Sequence, residues 1–71
     1  MSSSEQIEIY FNGETRRIQS KTIEQLLSEF QLAGKKIAVE LNREIVPRTA
    51  YADTPVTSGD SVEIVQFVGG G

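Results

Sequence analysis

An α+β domain, one mixed sheet with a single helix on one face, is the fold class these 71 residues predict. Three observations carry it. Apolar residues alternate with polar ones in two segments, Ile7 to Phe11 and Ser61 to Phe67, near opposite ends of the chain, which is the period of a half-buried strand. One segment only, Thr22 to Gln31, has apolar residues at helical spacing. The chain is also short: a domain of this size buries only about 60% of its unfolded surface, enough for one thin core and little besides.

The elements follow in order. Ile7, Ile9 and Phe11 share one face of the first strand, with Glu8 and Tyr10 on the other. Asn12-Gly13 is a strong two-residue hairpin signal, because both positions tolerate positive φ. Glu14 to Gln19 returns as a shorter strand with Ile18 facing in. Thr22-Ile23-Glu24-Gln25 matches a capping box: the Thr22 hydroxyl accepts from the Gln25 N–H, and the Gln25 side chain reaches back. Glu24 adds negative charge to the first turn, where the helix dipole favours it. Ile23, Leu26, Leu27 and Phe30 make one apolar stripe on a helix from Ile23 to about Gln31, with Gly34 as its C-terminal stop.

Ile37, Val39 and Leu41 alternate again as a third strand. Asn42-Arg43 is a tight turn into a short fourth strand, Glu44 to Val46, which Pro47 ends. Arg48 to Val56 reads as irregular, with Tyr51 pinning it to the core, and Ser58-Gly59-Asp60 as a turn. The last strand, Ser61 to Phe67, turns Val62 and Ile64 inward. A single helix covers only one face of the sheet. The two richest strands, first and last, lie side by side at the centre, with a hairpin on one side and the helix packed diagonally across. This is a β-grasp, the ubiquitin-like fold, with four to five strands. No repeat or composition break divides residues 1–71: one domain has its core at about 6–67 and a tail at 68–71.

Composition excludes several function classes. There is no Cys and no His, which removes thiol nucleophiles, disulfides, Cys/His zinc sites and the usual general base. The lack of disulfides in so small a domain fits a reducing, cytoplasmic setting. Met1 to Glu5 has neither the basic start nor the apolar stretch of a signal peptide, and no apolar run is long enough for a bilayer. A net charge of −3 disfavours nucleic acid. The basic groups Arg16-Arg17, Lys35-Lys36 and Arg43 with Arg48 read either as solvated charge or as a local contact for an acidic partner or a phosphate. Glu40 and Glu44 read as surface charges rather than an acid–base pair.

Two features remain. Alternation sends Tyr10, Val65 and Phe67 to the side of the sheet the helix leaves open, where apolar groups are candidates for partner docking. The last strand then runs into Gly69-Gly70-Gly71. Residues 68–71 extended reach about 13 Å, and glycines pass through a channel too narrow for side chains. The reactive group of such a tail is the α-carboxylate of Gly71. Ionised at neutral pH, it is a poor electrophile until another protein activates it, for instance as an acyl adenylate. Sulfur attack then gives a thiocarboxylate, and amine attack gives an amide.

Together, VEIVQFVGGG (Val62 to Gly71), IAVELNREIVPR (Ile37 to Arg48) and TIEQLLSEF (Thr22 to Phe30) resemble the ThiS family of sulfur carrier proteins in thiamine thiazole biosynthesis. The resemblance covers Ile7 to Gly71. It implies a carrier that is not itself an enzyme and binds no cofactor, ATP being consumed by a ThiF-type adenylating enzyme. It implies Gly71 as the adenylated and thiocarboxylated residue, with Gly69 and Gly70 threading beside it. A cysteine desulfurase is the implied source of sulfur and thiazole synthase its recipient. Val65 and Phe67 match the region family members set against partners. Three alternatives stay open: the small subunit of molybdopterin synthase, a ubiquitin-like modifier that forms amides with lysines, and a non-covalent binding module with an inert tail.

Overall fold

The computed structural model describes residues 5–67. In chain order the elements are β1 (Ile7–Phe11), β2 (Glu14–Ile18), α1 (Ile23–Glu29), β3 (Ile37–Leu41), β4 (Glu44–Val46), a 3-10 helix (Arg48–Asp53) and β5 (Ser61–Gln66). They build a five-stranded sheet in the order β2-β1-β5-β3-β4. β1 and β5 run parallel, and the other neighbours are antiparallel. The β-grasp is therefore present, with the first and last strands adjacent and β5 in the middle. No helix among the described residues is long and apolar enough to cross a membrane.

Both hairpins turn on two residues with positive φ: Asn12 (51°) and Gly13 (83°), then Asn42 (51°) and Arg43 (72°). That is the backbone twist which matches the flanking strands. The capping box forms. Thr22 Oγ1 accepts from the Gln25 N–H at 3.2 Å, while Gln25 Oε1 accepts from the N–H of Lys21, one residue before the cap, at 2.8 Å.

Three boundaries and one element type differ from expectation. The helix stops at Glu29 rather than Gln31, and Gln31 rather than Gly34 takes the left-handed turn that ends it, with φ 62°. The Gln31 N–H donates to the Ser28 carbonyl and the Leu32 N–H to the Leu27 carbonyl. This is the paired closure of a Schellman motif, in which Leu32 folds back over Leu27. Gly34 has φ 80° but serves the next turn. Arg48–Asp53 is a 3-10 helix instead of irregular chain, tied by Ala50 N–H to Pro47 C=O. β2 and β5 each end a residue early, at Ile18 and Gln66.

The core lies between α1 and one face of the sheet. Ile9, Ile18, Ile23, Leu26, Leu27, Val39, Val46, Val56 and Val62 are buried there, with Tyr51 and Ile64 packed against them. Phe30 meets Phe11 edge-on at 4.4 Å between ring centroids, and the Arg16 guanidinium sits 5.2 Å over the Phe30 ring. Arg16 thus closes the margin of the core and lies 3.5 Å from Glu14. Buried Ser20 donates through Oγ to Glu29, tying the end of β2 to the end of the helix.

Candidate functional site

The chain reaches its glycine tail through β5, so whatever holds β5 sets where the tail begins. Two asparagines hold it, one from each hairpin turn. On one side the Asn12 main chain donates to the Val62 carbonyl at 2.9 Å, and Asn12 Oδ1 accepts from the Ile64 N–H at 2.7 Å. On the other, the Asn42 main chain donates to the Ser61 carbonyl at 2.7 Å, and Asn42 Oδ1 accepts from the Ser61 N–H at 2.9 Å. Asn42 Nδ2 also donates to Asp60 Oδ1 at 3.1 Å, while Asp60 Oδ2 accepts from the Thr57 N–H at 2.8 Å. The left-handed backbone that asparagine tolerates at each turn aims its side chain at the neighbouring strand.

The register assigns residues to the open face. Tyr10 sits beside Ser61 and Thr15, Val65 beside Ala38, and Glu40 between Glu63 and Ile45. Tyr10, Val65 and Phe67 are 52%, 54% and 58% exposed. Phe67 follows the end of β5, and its N–H continues the ladder by donating to the Lys36 carbonyl at 3.0 Å. The three residues share the open side but form no single cluster. Tyr10 lies near the start of β5, and the acidic pair Glu40 and Glu63 lies between it and Val65. Ile45, 71% exposed, is the apolar residue that inspection of the sequence missed. A three-residue strand has no alternation with which to orient it. The signal was its isolation between Glu44 and buried Val46, which fixes Ile45 on the opposite face.

Gly69, Gly70 and Gly71 lie outside the described residues. Among the described residues no group of three acidic or other ligating side chains could hold a metal ion. On the helix side, a cavity of about 170 Å³ lies between Leu27, Leu32, Ile37 and Tyr51, with Lys35 and Arg48 at its rim. It lies away from the open face. Glu40 and Glu63 face each other across the β3–β5 ladder on the wet side of the sheet, an arrangement of surface charges rather than of a catalytic pair.

A ubiquitin-like sheet with exposed apolar residues on its open face and a glycine-ended sequence after its central strand defines the class: a small β-grasp carrier. A crystal structure of a thiamine biosynthesis protein (ThiS) from Geobacter metallireducens shares the fold, with a TM-score of 0.79 and 33% identity. The match covers 92% of this chain and 100% of that one. The sulfur carrier protein ThiS of Bacillus subtilis is 44% identical over 50 residues, 70% of this chain and 76% of that protein. A thiazole synthase of Paramagnetospirillum magneticum is 47% identical over 66 residues, 92% of this chain but 20% of that protein. The chain thus spans about a fifth of the length of that relative. The ThiS family profile matches residues 9–71. The chain belongs to the ThiS family, whose members are sulfur carriers of thiamine biosynthesis and not catalysts.

Proposed function

We propose that Gly71 is the point of sulfur attachment and that the open face docks the enzymes acting on it. A ThiF-type adenylating enzyme binds the carrier and ATP. A carboxylate oxygen of Gly71 attacks the α-phosphorus, pyrophosphate leaves, and the acyl carbon becomes an electrophile. A persulfide sulfur, drawn from cysteine by a desulfurase, attacks that carbon and expels AMP. A thiol then cleaves the remaining S–S bond and frees the thiocarboxylate, which delivers its sulfur to thiazole synthase. The carrier contributes no acid or base. It supplies a side-chain-free tail that enters a narrow site and a surface by which partners orient it.

The observation that carries this reading is the family match, which spans residues 9–71 and so takes in β5 and the glycine end. The thiazole synthase with a segment 47% identical to this chain supports the pairing of carrier and synthase. Exposed Tyr10, Val65 and Phe67 support the docking role. The test is intact mass after incubation with ATP, cysteine, a desulfurase and the adenylating enzyme. The expected gain is the mass difference between sulfur and oxygen, present in the full chain and absent when Gly71 is deleted. An unchanged mass in a reaction that consumes ATP and turns over a known carrier would overturn the proposal.

A further inference from the structure

The central strand has an unfinished edge. Asn42 N–H donates to Ser61 C=O and Phe67 N–H to Lys36 C=O, so in the β3–β5 ladder the main-chain groups of residues 61, 63, 65 and 67 point at β3. Those of 62, 64 and 66 therefore point the other way, toward β1. β1 pairs with β5 only at Tyr10–Ser61 and Phe11–Val62, and the chain then turns away at Asn12. The Val62 carbonyl is met by the Asn12 N–H and the Ile64 N–H by Asn12 Oδ1. Beyond that point the Ile64 carbonyl and the Gln66 N–H and carbonyl meet no protein partner among the described residues.

A vacant strand position thus continues the line of β1 beside Ile64–Gln66, directly before the tail. A cleft lined by Phe11, Arg16, Glu29, Phe30, Gln31 and Leu32 lies on the helix side, where Phe11 ends β1. Unpaired main-chain groups specify their complement more narrowly than an apolar patch does, because only another extended main chain presents donors and acceptors at matching intervals.

We propose that an extended segment of the enzyme that receives the tail pairs with this edge as a sixth strand, bonding to the Ile64 carbonyl and to Gln66 and setting an apolar side chain into the Phe11–Phe30–Leu32 cleft. The proposal rests on the docking reading above and adds the contact that aligns the tail. Side chains on the open face choose the partner, and the edge holds β5 in line with the partner's channel.

Amide hydrogen exchange of the full chain, alone and saturated with a ThiF-type adenylating enzyme and ATP, tests it. The Gln66 N–H exchanges freely alone and slows by about tenfold or more in the complex. The Phe67 N–H, already bonded to Lys36, serves as the internal reference. Gln66→Pro removes the donor where no internal bond depends on it and weakens binding by about fivefold or more, whereas Gln66→Ala binds normally. A Gln66 amide that exchanges equally fast in the saturated complex overturns the proposal. So does protection that appears in the carrier alone and grows with its concentration, which would make a second copy the occupant. The docking reading fails separately, when Val65→Ala and Phe67→Ala bind as the unaltered chain does. If no complex forms, both readings fall.

Discussion

Replacing Asn12 should cost more than its place in an exposed turn implies. Its side-chain oxygen holds the Ile64 N–H at 2.7 Å, and its backbone sits at φ 51°. Loss of the hydrogen bond removes about 0.5–1 kcal/mol, the lower part of the range because water can reach Ile64 N–H. Putting alanine in the left-handed region adds about 1 kcal/mol or slightly more. Asn12→Ala should therefore lower unfolding free energy by about 2 kcal/mol, a large share of the roughly 5 kcal/mol available to so small a domain. The melting temperature should fall by about 10 °C. Asn12→Gly keeps the backbone freedom and loses only the bond, so it should cost about half as much. Asn12→Asp retains an acceptor and should lose least. Urea titrations followed by far-ultraviolet circular dichroism measure all three. Equal losses for alanine and aspartate, or an alanine variant within about 0.5 kcal/mol of the parent, would refute the role assigned to this side chain.

Four further outcomes are expected. Val65→Ala and Phe67→Ala, each at a site more than half exposed, should leave the melting temperature nearly unchanged while reducing carrier-dependent pyrophosphate release by the adenylating enzyme. A steep melting loss would instead make them structural. Leu26→Ala, at a fully buried site, should cost about 3 kcal/mol in the same urea titration and leave the fold barely stable. Glu63→Gln relieves a like-charge pair with Glu40 and should stabilise by about 0.3 kcal/mol at low salt, a gain that vanishes at high salt in paired thermal melts. Gln31→Gly and Arg43→Gly each remove a side chain from a left-handed position and should each stabilise by about 0.5–1 kcal/mol, read as a shifted urea midpoint with unchanged slope.

Much of this molecule was legible because its strands alternate cleanly. Ile7, Ile9 and Phe11 in β1 and Val62 and Ile64 in β5 fixed both faces of the two central strands, and so exposed Tyr10 and Val65 before any coordinates. Thr22 and Gln25 marked the helix start because their capping bonds are local. The helix end was not legible, for a physical reason. Its stop depends on Leu32 folding over Leu27, a tertiary preference that forces Gln31 into a conformation glycine would adopt more easily. Gly34, the obvious punctuation, marks the following turn instead. Ile45 escaped because β4 is too short for a period. The vacant edge of β5 was beyond any reading of single segments, since it follows from where β1 stops relative to β5, a register no periodicity encodes.

The middle position of β5 has a mechanical consequence. Under the proposed role, partner enzymes pull on the chain beyond Phe67, and that load enters along the axis of β5. The strand is antiparallel to β3 over five residue pairs and parallel to β1 on its other side. Tension along that axis therefore loads the β3 ladder and the shorter β1 ladder in shear, straining many bonds together. The load is then shared along the strand instead of falling first on the rung nearest Phe67.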